Sequence, residues 1–487
     1  MYIVLFKMHP IMKKIILLFI YCFSFFSVIQ AQTYPSLNIN LLSHLDPEKD
    51  NTGNDGRKYS GCWGWFQSST NKEYAIVGTS SKTYFIDVSN PTNPVVIDSV
   101  MAAHGGCTWR EIKTYQNYCY IVSDDAPPNT FQIVDMQYLP DSVHVVYNGN
   151  NLFERCHTIF VDNGHLYCGG PTSVGGTSPD NMRVYSLATP TVPVLLRTLS
   201  QDVPSISYVH DMFVRNDTVY ASCGGQGLFI IKYNSVANTF SLMQSFSNYP
   251  YSGYNHSSWQ TDDRKTMVFA DEVPGGLPAK VIDVSDLNNI TLVDTIRSNF
   301  GATAHNPYII NNKWCWMSSY QDGIYLYDIS NPANTTIHGY FDTHPLHGAN
   351  DNYVLGDYRG NWGAYPYLPS KIIIACDMQN GIFILDGDYD YKVTVGQDEK
   401  IKKASSFSVY PNPAANELNL LIANQNAKAI TYTITDVTGK IILKNSLDIS
   451  EQLVKASLNI SHLNSGCYFI TLTGEHISET KKIIIQK

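Results

Sequence analysis

Four histidines recur with an aromatic residue three positions on: His157 before Phe160, His210 before Phe213, His256 before Trp259 and His305 before Tyr308. Each opens an apolar segment that reads as a strand. Residues i and i+3 of a strand point to opposite faces, so the aromatic ring can pack between segments while the imidazole faces elsewhere. Imidazoles from separate segments, gathered beside carboxylates, could bind a divalent metal or hydrogen-bond a sugar or other polar ligand. Asp124, Asp125, Asp271, Glu272, Asp322 and Asp377 stand in loops that should emerge at the same place. Trp63, Trp65, Trp259 and Trp362 offer flat apolar faces for such a ligand. Arg110 occupies about the histidine position in an earlier segment, and Asp211 follows His210; both break the repetition. The candidate ligand site is therefore Trp63, Trp65, Arg110, His157, His210, Asp211, His256, Glu272, His305 and Trp362, with the four histidines as metal candidates. An architectural role competes, in which each imidazole bonds the backbone of the next segment and holds the register.

Signatures of catalysis are otherwise missing. The chain has no Gly-x-Ser-x-Gly elbow, no His-Glu-x-x-His and no phosphate-cradling glycine loop. Gly169 to Gly176 and Gly224 to Gly227 are glycine-rich, yet both follow strands where turns are due. The neighbouring acids Asp271 and Glu272 could serve glycoside chemistry only if two carboxyls were held in place across a substrate. No cofactor is predicted, and a divalent metal is compatible with the histidine–carboxylate set. The pattern favours binding over catalysis; the alternative is a hydrolase or lyase using His210, His256, Arg110 and nearby carboxylates, with or without a metal.

The elements that position these residues repeat. An apolar run ending in a turn recurs, as in Tyr84-Phe85-Ile86-Asp87-Val88, Gln132-Ile133-Val134-Asp135-Met136 and Leu326-Tyr327-Asp328-Ile329. Its fourth position falls at 87, 135, 186, 232, 283, 328 and 386, a spacing of 45 to 58 residues. That period suits one four-stranded propeller blade, and seven copies suit a closed ring. Asn163-Gly164 supplies the positive φ angles of a two-residue hairpin. Asp-Val-Ser-Asn-Pro at 87–91 and Asp-Ile-Ser-Asn-Pro at 328–332 end strands with side chains that bond the backbone. The last copy lacks a fourth strand of its own; Leu37 to Leu42 alternates and could close the ring. The predicted fold is all-β, a seven-bladed β-propeller followed by a small C-terminal β-sandwich.

Composition agrees. Aromatics make up 12% of the 487 residues and charged residues only 15%, with 33 tyrosines, 32 glycines and 23 prolines, which fits a turn-rich β protein. A net charge of -9 argues against a nucleic-acid surface. Lys13-Lys14, the apolar run Ile15 to Ile29 and Ala31 read as a signal peptide cut after Ala31, too short to span a bilayer. No transmembrane span is predicted elsewhere. Removing Cys22 with the signal leaves nine of ten cysteines, an odd number that favours buried free thiols over a disulfide framework.

Leu42-Ser43-His44-Leu45-Asp46, Gly61-Cys62-Trp63-Gly64-Trp65, Trp109-Arg110-Glu111-Ile112-Lys113, Ala304-His305-Asn306 and Asn361-Trp362-Gly363-Ala364-Tyr365 together resemble the choice-of-anchor B family, built from LVIVD-type repeats. That resemblance covers about Leu41 to Leu385 and implies a propeller without a settled activity. Pro411-Asn412-Pro413, Gly439-Lys440 and Gly466-Cys467-Tyr468 lie among alternating strands and resemble the type A sorting domain of the type IX secretion system. This second resemblance implies passage across both membranes through the type IX machinery, removal of the tag, and a cell-surface or extracellular destination. The expected organisation is a signal peptide at 1–31, a propeller at 36–392, a linker at 393–405 and a sorting domain at 406–487. The expected function is a monomeric binding or interaction module for a surface glycan or protein.

Overall fold

The computed structural model describes residues 34–48, 56–107, 109–125, 131–176, 180–346, 353, 358–386, 407–423, 429–448, 453–474 and 478–487. Ala31 and the expected linker 393–405 lie outside the described residues. Helix among the described residues is of the short 3-10 kind, as in Leu199–Gln201 and Leu287–Asn289. None is long and apolar enough to cross a membrane.

Seven antiparallel sheets follow one another along the chain as the blades of a β-propeller. Blade one holds Tyr59–Gln67, Lys72–Thr79, Lys82–Asp87 and Val95–Met101. Blades two to six begin with Arg110–Tyr115, Thr158–Asp162, Asp211–Arg215, Asn255–Gln260 and Pro307–Ile310, and blade seven with Asn361–Tyr365. These first strands sit innermost, and consecutive ones are neighbours around most of the ring, with blade seven returning to blade one. In each of blades one to six a register shift bends the fourth strand, the usual effect of a bulge.

The repeated turn chemistry explains why the blades end where they do. Asp87, Asp283 and Asp328 each accept a hydrogen bond from the backbone N–H two residues on, at 2.8–2.9 Å, an Asx turn that stops the strand. Asn163 and Gly164 take φ values of 48° and 72°, as a tight hairpin between twisted strands requires.

Ring closure differs from the expectation in detail. The strand that completes blade seven is Leu41–Leu45, paired antiparallel with the last strand through Leu41↔Leu385 and Leu45↔Ile382. Leu37 instead belongs to Ser36–Leu37, which adds a fifth strand to blade six opposite Phe341 and Tyr340. Asn38, with φ 55°, stands between the two segments and turns the chain. Residues 37–42 therefore serve two blades rather than one.

Apolar side chains pack at the interfaces between blades. Ile76, Phe85, Ile112, Ile121 and Val134 join blades one and two; Val77, Ile86, Ile374, Ile382 and Ile384 join blades seven and one. Similar clusters lie at the next four interfaces around the ring. Between blades six and seven, Phe341 meets Phe383 at 5.8 Å, and Tyr320, Trp362 and Met378 form a further apolar cluster. Buried polar groups lie there as well: Asp322, Asp342, Thr343, His344 and Asp377.

Burial pushes the Asp342 carboxyl up to about 7; Asp322 and Asp377 add to the shift, and a hydrogen bond from the His344 N–H (2.8 Å) opposes it. A folded-state pKa above the unfolded value means that stability is full below about 4 and is lost as pH rises through about 7. Asp342→Asn keeps the acceptor oxygen and removes the titration. Its advantage in unfolding midpoint over the wild type should grow between pH 4 and pH 8, and a constant difference across that range would contradict the assignment.

The nine described cysteines are all free, eight of them buried and Cys467 partly so. Burial raises the thiols of Cys119, Cys223 and Cys315 above their usual range, which makes them poor nucleophiles.

The C-terminal strands form two sheets. Phe407–Tyr410, Glu417–Ala423 and Leu453–Asn459 make one; Ile441–Asp448, Ala429–Asp436, Gly466–Thr473 and Ser478–Ile485 make the other. Leu418, Leu420, Ile422, Ile434, Ile470 and Ile483 fill the core between them, with alternation setting which side faces in.

Candidate functional site at the mouth of the channel

The histidine-bearing positions lie at the start of innermost strands, so consecutive blades bring consecutive rings together. Ring centroids are 4.1 Å apart for His157–His210, 4.5 Å for His210–His256 and 4.3 Å for His256–His305. Trp362 continues the series at 4.3 Å from His305, and Trp109 stacks on Trp362 at 4.8 Å and 22°. Blade one places Gly61 against the start of blade two's inner strand. A Cβ there would stand 2.2 Å from the Arg110 carbonyl oxygen, so the absent side chain lets blades one and two close up.

A second tier runs beneath, where the aromatic partners of the histidines meet. Phe160 lies 5.6 Å from Phe213, Phe213 lies 4.9 Å from Trp259, and Trp259 lies 5.6 Å from Tyr308. Phe160, Trp259 and Tyr308 line a small cavity together with Trp63, Glu111, Lys113 and Asp211. The upper tier borders a second small cavity lined by Trp109, Arg110, the four histidines and Trp362 among others.

The hydrogen bonds divide the histidines into distinct roles. His210 Nδ1 donates to the His256 carbonyl oxygen at 3.2 Å, and His305 Nδ1 donates to the Trp362 carbonyl oxygen. Both bonds cross to the next blade, as an architectural role requires. His157 Nδ1 donates instead to the Asp124 carboxylate. Burial disfavours the charged form of His157, but Asp124, with Asp211 and Glu111 beyond it, outweighs burial and lifts its pKa. Burial drives His210 and His305 well below the usual imidazole range, and the neighbouring imidazoles add to this. His157 therefore carries a proton more readily than His210 and His305.

The remaining candidates separate. Trp65 is not at the mouth: it packs between blades one and two, and its Nε1 donates to the Gln116 carbonyl oxygen at 2.9 Å. Trp63 lies deeper, under the Lys113 ammonium at 4.2 Å and edge-on to Tyr365. Arg110 borders the upper cavity, but its Nε donates to the Thr79 carbonyl oxygen at 2.9 Å, and burial lowers its pKa. Asp211 accepts from the Thr158 hydroxyl at 2.9 Å. Of the neighbouring acids, Asp271 turns into the protein and meets Lys280, whereas Glu272 approaches His256. Asp377 is likewise internal, accepting from the Thr343 hydroxyl at 2.7 Å.

Three residues at the site escaped the sequence reading. Trp109 completes the aromatic pair with Trp362, and Tyr358 meets it edge-on at 5.0 Å. Glu111 faces the channel beside Lys113, its carboxyl raised by burial against the pull of Lys113. Trp109 and Glu111 flank Arg110, so placing Arg110 at the histidine position could have found them; Tyr358 carries no repeat signal.

These features define an all-β protein, a seven-bladed β-propeller followed by a C-terminal β-sandwich. Residues 408–486 match the secretion system C-terminal sorting domain, and residues 72–102, in blade one, match the LVIVD repeat. The chain is therefore exported through the type IX secretion system to the cell surface or beyond, and its sorting domain engages that machinery. No curated protein matches the chain. Among solved structures, the WD40 β-propeller domain of Doa1 is similar with a TM-score of 0.48 and 10% identity, over 72% of this chain and 96% of that one. PorZ, a surface component of the type-IX secretion system of Porphyromonas gingivalis, is similar with a TM-score of 0.42 and 10% identity, over 88% of this chain and 59% of that one.

Within the sorting domain, Asn412 of the Pro411-Asn412-Pro413 segment bonds the last strand twice. It donates to the Lys482 carbonyl oxygen at 3.1 Å and accepts from the Ile484 N–H at 2.7 Å. Gly439 has φ 85° in the turn that Asp436 organises by accepting from the Lys440 N–H. Gly466 opens a strand, and the Tyr468 hydroxyl donates to the Asn464 carbonyl oxygen at 3.1 Å.

Proposed function

We propose that this exported propeller is a recognition module that binds a carbohydrate at the mouth of its channel. The observation that carries the reading is the stacked pair Trp109 and Trp362, continuous with the imidazole ladder and rimmed by Tyr358. Flat aromatic faces cover the apolar side of a sugar ring, while imidazole nitrogens and carboxylates bond its hydroxyls. Arg57, 5.8 Å above the Trp109 ring, adds a charged donor at the rim. Closure of the ring within a single chain supports a monomer.

A glycan array probed with the folded, mature protein tests this directly. Binding should fall about tenfold or more in Trp109→Ala, equivalent to ~1.4 kcal/mol. A silent array would transfer the reading to a protein partner, and hits indifferent to Trp109→Ala would move the site away from the mouth. The alternative, a hydrolase or lyase, draws on His210, His256 and Arg110 with the carboxylates Glu111 and Asp211, which line one cavity. New reducing or unsaturated ends in an array-positive glycan would establish it.

A further inference from the structure

We infer that His256, Glu272 and His305 form a binding site for a divalent cation of the zinc class. This goes beyond carbohydrate recognition and does not depend on it. The three side chains come from the inner strand of blade five, the loop after its second strand, and the start of blade six. One donor atom from each lies within 4.8 Å of the other two. All three are buried, His305 completely.

Each donor is already aimed. The Tyr320 hydroxyl donates to Glu272 Oε1 at 2.6 Å, which leaves Oε2 facing His256 Nε2 at 3.8 Å. That separation is too long for a hydrogen bond and suits two ligands on one ion bound at ~2.0–2.2 Å. His305 donates through Nδ1 to the Trp362 carbonyl oxygen, so in the neutral ring Nε2 carries the lone pair. Nε2 is buried and has no partner, and neither has His256 Nδ1. Buried polar atoms are nearly always satisfied. A lone pair and a carboxylate set side by side ask for a positive centre between them. The His305 imidazole, fixed through its second nitrogen, and a carboxylate held by a hydroxyl have the outer shell that metal ligands usually have. Two histidines and one glutamate also leave a coordination position for water or a ligand oxygen.

His157 and His210 fall outside the site. His157 is paired with Asp124, and His210 is bonded to the His256 carbonyl oxygen. Four histidines in a row thus yield one site because only one stands opposite Glu272.

Cobalt(II) is a suitable probe, since its visible absorption reports coordination. The mature chain without a histidine tag, stripped with chelator, should take up one equivalent, and zinc should displace it. Glu272→Gln keeps the acceptor for Tyr320 and removes the charge; it should weaken uptake at least about tenfold. Tyr320→Phe should weaken it by about tenfold through lost orientation, and His256→Ala should abolish it. If His256→Ala does not fold, Glu272→Gln decides, with its unfolding midpoint in chelator as the control for folding. A folded wild type that takes up no stoichiometric ion overturns the site. So does uptake that Glu272→Gln and Tyr320→Phe leave unchanged.

Discussion

Lys280→Met is expected to destabilise the propeller by about 3–5 kcal/mol, the usual result of leaving a buried charge without its partner. The Lys280 ammonium stands 2.6 Å from the Asp271 carboxylate, and neither side chain is exposed. Tyr249 and Asn255 donate to the other carboxylate oxygen at 3.1 and 3.3 Å, so three donors hold the buried Asp271 side chain. Burial lowers the Lys280 pKa although Asp271 pulls it up, which shows how much the pair depends on contact. Methionine fills similar volume without the charge. The double variant Lys280→Met, Asp271→Asn keeps the oxygen that accepts from Tyr249 and should recover most of the loss. Chemical unfolding of the two variants measures this. If single and double variants unfold at the same denaturant concentration, the penalty is one of packing, and the electrostatic account fails.

Gly61→Ala is expected to cost about 3 kcal/mol or more, at the upper end for overpacking. The new methyl would lie 2.2 Å from the Arg110 carbonyl oxygen and 3.3 Å from its carbon. Both are backbone atoms of the next blade's inner strand, which cannot swing aside as a side chain does. The same strand is fixed to blade one where the Arg110 N–H donates to the Ser60 hydroxyl at 3.2 Å. Gly105→Ala is the control: nothing lies within 4 Å of a Cβ there, and its unfolding midpoint should match the wild type. A Gly61→Ala protein as stable as that control would mean that blades one and two are further apart.

The blade period was legible because local chemistry writes it. Asp87, Asp283 and Asp328 stop their strands with bonds to residues two positions away, so a reader of the sequence meets the whole device in one place. The imidazole partners were not legible in that way. His157 finds Asp124 from 33 positions earlier, and His305 finds the carbonyl of Trp362 from 57 positions later. Both choices depend on how adjacent blades are staggered, which spacing along the chain does not encode. Glu272 and Asp271 show the same limit at the shortest range. They are adjacent acids, yet Asp271 ends its strand facing Lys280 while Glu272, just past the strand end, approaches His256. Trp63 and Trp65 read as equivalent for the opposite reason: they share a face of one strand, but their depth along the channel separates a lining residue from a core residue. The closing strand was displaced by four residues because Leu37 and Leu41 present similar side chains, and the turn at Asn38 decides between them.

The strand Leu41–Leu45 has a bearing on how such a chain survives export. His44 Nε2 donates to the Asn380 carbonyl oxygen, 336 residues away, at 2.6 Å, so the seam is among the most distant contacts in the molecule. Loop closure over that span is slow to be rewarded. Until residues 381–385 arrive beside it, blade seven presents an unpaired edge, the kind of surface on which chains aggregate. The seam is thus a clasp that fastens only a complete ring. A chain cut before residue 381 would lose the clasp as well as the address that follows it, so the same lesion that prevents folding also prevents display.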